Sequence, residues 1–266
     1  MTASISCHYA GTSGARHAIV QIRHDGKLNA MSRAMWRELR TVFLQLQQET
    51  TVPDPLRCVM VQGVDGHFCA GGDISEYQSF RFDPDSLRLF HEEEVWGGLS
   101  AMLACDAPLI AAIDGNCMGA GVEISSCCDI RIATVSSRYG APIAKLGFPM
   151  APQEAVLVAG TLGATLARSM LLEAGIYPAD VLLQRGFLTR TVPDAAALES
   201  EVSRTVERIL RLSPSAARLH KQMMREWSAV HQPVLERQSA TAFDYADHPE
   251  HREGIQAFLD KRPARF

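Results

Sequence analysis

The chain has 266 residues, 47% of them hydrophobic and 21% charged, with a formal net charge of −4. That length and apolar content suffice for one large domain, or a core with a smaller appendage, around a sizeable interior. The acidic balance argues against nucleic acid as a partner, and no apolar run approaches the ~18–20 residues needed to span a bilayer, so no membrane insertion is expected.

The N-terminus, Met1 to His8, lacks a basic stretch followed by an apolar one, so no secretory signal is expected and a cytoplasmic location is. Ile19–Ile22 reads as a strand ended by the turn-forming Asp25-Gly26. Ser32 is placed to cap an amphipathic helix over about Arg33–Gln48. Two prolines make 51–56 a loop. Cys58–Gln62 is a short buried strand bounded by Gly63 and Gly66, followed by a loop, His67–Ile74, that enters a short helix. Asp83-Pro84-Asp85 opens a helix toward Cys105.

Pro108 precedes the apolar strand Leu109–Ile113, which Asp114-Gly115-Asn116 ends. Gly119-Ala120-Gly121 leads into a helix carrying Glu123, and Asp129–Ala133 is a further strand. From Ala151 the pattern is mostly helical, with amphipathic stretches at Arg204–Leu212, Ala216–Trp227 and His251–Asp260. Strands alternating with helices, then helices alone, predict an α/β core over 1–200 and an α-helical C-terminal region over 201–266. The apolar 109–113 run fits a sheet covered on both faces. The 7 cysteines are odd in number and form no CxxC, so reduced thiols are expected; Cys127-Cys128 reads as a pair packed in a helix.

Two segments, Cys58–Ile74 and Leu109–Glu123, share one plan: strand, glycine-rich turn, helix start. A helix start leaves backbone N–H groups unpaired, and glycine lets backbone approach a ligand. Two such N–H groups converging on one point form an oxyanion hole, worth a few kcal/mol to a transition state with charge on a carbonyl oxygen. Neither segment spells a phosphate loop, and there is no serine-hydrolase elbow or HExxH metal pattern. No metal site is expected. Scattered histidines such as His91 read as surface or core residues. Glu123 stands in the first turn of an apolar helix, where burial would raise its pKa toward the range useful for proton transfer.

The order of Phe68-Cys69-Ala70-Gly71-Gly72-Asp73-Ile74, Pro108–Gly115, Met118-Gly119-Ala120-Gly121-Val122-Glu123 and Cys128–Ala133 resembles the enoyl-CoA hydratase/isomerase (crotonase) superfamily. Lys27-Leu28-Asn29-Ala30-Met31 is similar to the family's early CoA-contacting loop, and Gly254–Arg262 to its C-terminal helix. The resemblance implies a crotonase-like spiral of ββα units with an α-helical C-terminal region. It implies acyl-CoA thioester substrates with CoA as part of the substrate and no separate cofactor, and a homotrimer or homohexamer. By position, the N–H groups of Gly72 and Ala120 would form the oxyanion hole for an enolate, with Glu123 as general acid/base. Lys27, Leu28, Ala30, Ala70, Asp73, Ile74, Gly119 and Ile143 would contact substrate or CoA, and Phe258 and Lys261 would reach the CoA phosphates.

One departure from the family pattern bears on the reaction. The second catalytic glutamate of typical hydratases should follow Pro142, and the residue there is Ile143. Hydration by Glu123 as both base and acid, double-bond migration, and decarboxylation, hydrolysis or ring chemistry through an enolate all stay open, as does a non-catalytic relative that only binds acyl-CoA. Glu154 is the nearest downstream carboxylate that could substitute, and Tyr245 lies in a region that can close over such sites. Phe80, Phe82, Phe90 and Trp96 mark the segment expected to line the acyl pocket.

Overall fold

A computed structural model of the chain describes residues 2–228 and 243–265. A six-stranded sheet has the order β1 (Ala3–Ala10), β2 (His17–His24), β3 (Val59–Gly63), β4 (Leu109–Ile113), β6 (Ile130–Thr134), β9 (Arg190–Val192). Only the β1–β2 pair is antiparallel. A second sheet of three short strands joins β5 (Asn116–Met118), β7 (Arg138–Gly140) and β8 (Ile176–Pro178). The fold is mixed α/β, and beyond β9 the elements of the described residues are helical, as expected.

Helix α1 (Arg33–Gln48) forms where the caps and spacing place it. Ser32 accepts a hydrogen bond from the Met35 N–H, and Met35, Trp36, Leu39, Phe43 and Leu46 fall on one buried face. Full burial of each large apolar side chain contributes roughly 1.5–3 kcal/mol. That face packs on β1 and on α3 (Trp96–Ala104). On the sheet's other side, α8 (Ala195–Leu210) buries Leu198, Val202 and Val206 against Cys58, Ile110 and Ile132. The fully buried β4 thus has both faces covered.

Several elements differ from expectation. The stretch from Asp83 to Cys105 is not one uniform helix. Asp83 caps α2 (Pro84–Leu89), a π-helical turn follows over Phe90–Val95, and α3 completes it. Strand β1 does alternate, with Ala3, Ile5, Cys7 and Tyr9 against Ser4, Ser6 and His8, and sequence reasoning missed it, whereas the three-residue strands β5, β7, β8 and β9 are too short to carry a period. These short strands exist because a neighbouring strand supplies the hydrogen bonds, which no local pattern encodes.

The topology positions the site. Strands β2, β3, β4 and β6 run parallel, so their carboxyl ends share one edge. The loops 25–32, 64–73, 114–119 and 135–142 all leave from that edge. Crevices outside the carboxyl ends of parallel strands are where ligands bind in open α/β sheets.

Candidate active site

Backbone hydrogen bonds stitch three of these loops together. Cys69 N–H donates to Asn116 O at 2.9 Å and Met118 N–H to Cys69 O at 2.9 Å, pairing Cys69 with Cys117. Ala70 N–H donates to Leu28 O. Met31 pairs with Gly72 in a parallel bridge: Met31 N–H donates to Gly71 O and Asp73 N–H to Met31 O, each at 2.8 Å. In such a bridge the residues flanking Gly72 make the bonds. The Gly72 N–H is therefore turned away from Met31.

Ala120 is the first residue of α4 (Ala120–Ser126), so its N–H has no acceptor inside the helix. Gly119 before it has φ +47°, and its N–H donates to Gly140 O at 2.8 Å. That left-handed backbone suits glycine and sets the entry angle of α4. Gly72 and Ala120 line one cavity of about 60 Å³, together with Gly119, Glu123, Ile143 and Glu154.

Helix α4 packs on α5 (Pro152–Leu162), and each presents a glutamate from its first turn. Glu123 is 8% exposed and Glu154 3%. Burial pushes the Glu123 carboxyl well above the usual carboxylate range, and the neighbouring Glu154 adds to the rise; the Arg81 guanidinium acts against it. Burial also raises Glu154, again opposed by Arg81. Two nearby carboxyls in a dry site titrate as a pair that retains protons well above the pH at which an exposed glutamate has lost its own.

His91, on the π-helical turn, sets its Nδ1 2.8 Å from Glu154 Oε1. Burial pulls the His91 pKa well down, with Arg81 adding to the fall. Burial favours the neutral imidazole, so the His91–Glu154 contact is a hydrogen bond rather than an ion pair. His91 Nε2 is buried without a hydrogen-bond partner, and the ring stacks on Phe243 at 5.5 Å.

Arg81 lines the same cavity and is 1% exposed. It follows a 3-10 helix over Ile74–Ser79 that begins directly after the Gly72-Asp73 loop. Its guanidinium carbon lies 3.8 Å from the Phe148 ring centroid and 4.5 Å from that of Tyr77. Arg81 Nε donates to His251 Nε2 at 3.5 Å and Nη2 to Tyr245 Oη at 3.3 Å. The His251 Nδ1–Ala246 O contact, at 2.9 Å, puts the ring proton on Nδ1 and leaves Nε2 as the acceptor.

The residues expected around substrate do not all meet. Gly72, Gly119, Ala120, Glu123 and Ile143 share the cavity, and Glu154 joins them. Lys27 does not line the cavity; its Nζ is held by Asp73 Oδ2 at 2.6 Å and Ser75 Oγ at 2.7 Å. Leu28 (φ +49°) is exposed, and Ala30 is buried beneath the loop. Asp73 caps the 3-10 helix that Ile74 starts. Phe258, on the last helix α10 (Pro249–Leu259), borders a separate surface groove with Lys145, Leu146 and Arg262, and Lys261 follows that helix with φ +54°.

Of the aromatic residues expected around the acyl group, only Phe90 lines the cavity. Phe80 packs behind it at 4.7 Å, Phe82 lies against His251, and Trp96 packs on the core. The wall includes Tyr77, Arg81 and His91, which no motif marked. A buried arginine and a surface arginine look alike in sequence, so no local signal could have found Arg81. Cys127 and Cys128 are buried, their thiols against Leu99 O and Ile124 O, but they follow α4 rather than lie in it, Cys127 being its C-cap.

Comparison with known proteins adds a second line of argument. The family model "Enoyl-CoA hydratase/isomerase" matches residues 14–266. A Mycobacterium tuberculosis protein named "Probable enoyl-CoA hydratase" is 28% identical over 256 residues, 94% of each chain. The "Crotonyl-CoA hydratase" of Syntrophomonas wolfei is 26% identical over 255 residues, again 94% of each. Among solved structures, an "enoyl-CoA hydratase/ carnithine racemase" from Magnetospirillum magneticum superposes with a TM-score of 0.76 at 29% identity, covering 97% of this chain and 96% of that one.

Proposed function

The chain belongs to the enoyl-CoA hydratase/isomerase family, and from that premise we propose that it hydrates short enoyl-CoA thioesters through an enolate, with Glu123 and Glu154 as the proton-carrying pair. The observation that carries this reading is the meeting of two protonatable carboxyls with two free N–H positions, at Gly72 and Ala120, in one small cavity.

The chemistry balances on those groups. Water adds through its oxygen to the β-carbon while one carboxylate of the pair accepts its proton. The electron pair of the double bond moves toward the thioester, giving an enolate whose oxygen rests between the Gly72 and Ala120 N–H groups. The carboxyl that still holds a proton returns it to the α-carbon, so the pair ends with one proton, as it began. Ile143 contributes an apolar wall where relatives of the family carry a carboxylate, and Glu154 supplies that group from α5 instead. His91, bonded to Glu154, fixes its orientation.

On this reading the CoA moiety runs along Lys27, Leu28, Ala30, Ala70, Asp73 and Ile74. Phe258 and Lys261 of a neighbouring subunit in a trimer reach its phosphates. A turnover screen read by mass spectrometry tests the assignment. Enoyl-CoA esters should gain the mass of water; an unchanged mass with a shifted double bond, or loss of carbon dioxide from a carboxylated ester, would replace hydration with another reaction of the family.

A further inference from the structure

Arg81 is a buried cation, 1% exposed, on the cavity wall. Among the described residues no carboxylate comes within ion-pair distance of it. The contrast with other cations of this chain is plain. Arg33 is paired in both nitrogens to Glu94, and Arg131 is held by the carbonyls of Phe187, Ser125 and Cys128. Among the described residues Arg81 has two long contacts to neutral groups, a histidine and a phenol, and no acceptor at Nη1.

A guanidinium cannot shed its proton to escape burial. Removing it from water without a counter-charge is costly, and aromatic faces offset only part of that cost. The carboxyls facing the same cavity, Glu123 and Glu154, are themselves in surroundings that favour their neutral forms. The pair supplies at most one negative charge, and among the described residues neither carboxyl comes within ion-pair distance of the guanidinium, so Arg81 faces the cavity without a bound counter-ion.

Position gives the ligand its class. The Tyr77 ring separates Arg81 from the oxyanion position: its hydroxyl abuts Gly72, while Arg81 lies over its face. A cavity of about 60 Å³ holds only a few atoms beyond a thioester carbonyl. We propose that Arg81 anchors a carboxylate carried by the acyl group, so that the site takes the monothioester of a short dicarboxylic acid. Arg81 Nη1 and Nη2 form the fork for that carboxylate, with Tyr245 and His251 holding the guanidinium in place. This inference rests on the acyl-CoA reading above and narrows it to a substrate class.

Shape-matched ester pairs test it by calorimetric titration of the full chain: succinyl-CoA against isocaproyl-CoA, and malonyl-CoA against isovaleryl-CoA. In each pair a carboxylate replaces a branched alkyl end of the same form. At least one carboxylated member should bind about tenfold or more tightly than its neutral match, as expected for a charge-assisted hydrogen-bonded pair. Arg81→Met should abolish that preference, and Arg81→Lys should retain part of it. Equal or weaker binding of both carboxylated members to the unaltered chain overturns the inference while leaving acyl-CoA binding intact. A preference that survives in Arg81→Met overturns it as well. If no CoA ester of either kind binds, the acyl-CoA reading itself fails and takes this one with it. The comparison on the unaltered chain decides the matter even if a variant does not fold.

Discussion

His91 Nδ1 lies 2.8 Å from Glu154 Oε1, linking a π-helical turn to the first turn of α5. Such turns inside helices recur at functional sites because the extra residue re-aims the side chains around it. Here the turn carries both Phe90 and His91 on the cavity wall. The contact gives Glu154 a defined orientation opposite Glu123.

Glu123→Gln should lower kcat by about 10²–10⁴ while leaving CoA-ester binding in place, because the amide keeps the shape and removes the transferable proton. Steady-state kinetics with a matched binding titration separate the two effects. Undiminished turnover would remove Glu123 from the chemistry.

Glu154→Gln should cost a similar factor and also change the pH dependence. In the unaltered chain, turnover requires one carboxylate and one carboxyl in the pair. Both carboxyls are raised by burial. The rising limb of the kcat/KM profile should therefore stand above the usual carboxylate range, with the falling limb higher still. With one member replaced, the two-limbed profile should collapse to a single limb. An unaltered profile in Glu154→Gln would return Glu154 to a structural role.

Ala120→Pro tests the oxyanion hole by deleting one N–H. Proline fits the first position of a helix, so α4 should still form. Loss of the donor should lower kcat by about 10²–10³. Circular dichroism and a melting curve check that the fold persists. Full activity in a folded variant would exclude the Ala120 N–H as a donor to the enolate.

Glu123 and Glu154 each make stability fall as pH rises, whereas His91 and His251, whose pKa burial lowers, act in the opposite sense below about pH 6.5. A raised folded-state pKa means the folded chain binds more protons than the unfolded one above about pH 4.5, so alkali favours unfolding. Each of Glu123 and Glu154 can contribute a slope of up to about 1.4 kcal/mol per pH unit until its folded pKa is reached. Glu123→Gln removes one such contribution. Its melting temperature should exceed that of the unaltered chain at alkaline pH and converge with it toward pH 4. A difference that stays constant with pH would contradict the burial-driven shift.

Gly72→Ala should be destabilising although its backbone is unstrained, because the added Cβ would sit 2.2 Å from Tyr77 Oη. Overpacking of this kind costs roughly 1–3 kcal/mol. Tyr77→Phe removes the clashing oxygen, so the double variant should recover part of the loss. Additive losses in a double-mutant cycle would show that the tyrosine is not the group displaced.

The sequence by itself determined the local devices. Ser32 and Asp83 announce their helices through capping chemistry, and the run Leu109–Ile113 announces a doubly covered strand through its unbroken apolarity. Gly72, Ala120 and Glu123 were singled out by two glycine-rich turns taken together with resemblance to the family's motifs, and they line one cavity. Tertiary structure alone decided what faces them. Glu154 stands 31 positions from Glu123 in the chain and reaches its cavity only because α4 packs on α5. Arg81 and His91 bear no periodic or motif signal, since a charged or polar residue in a helical stretch is ordinarily solvated. Burial turns them into functional candidates, and burial depends on which elements close over a position, a property of the folded chain that no window of sequence contains.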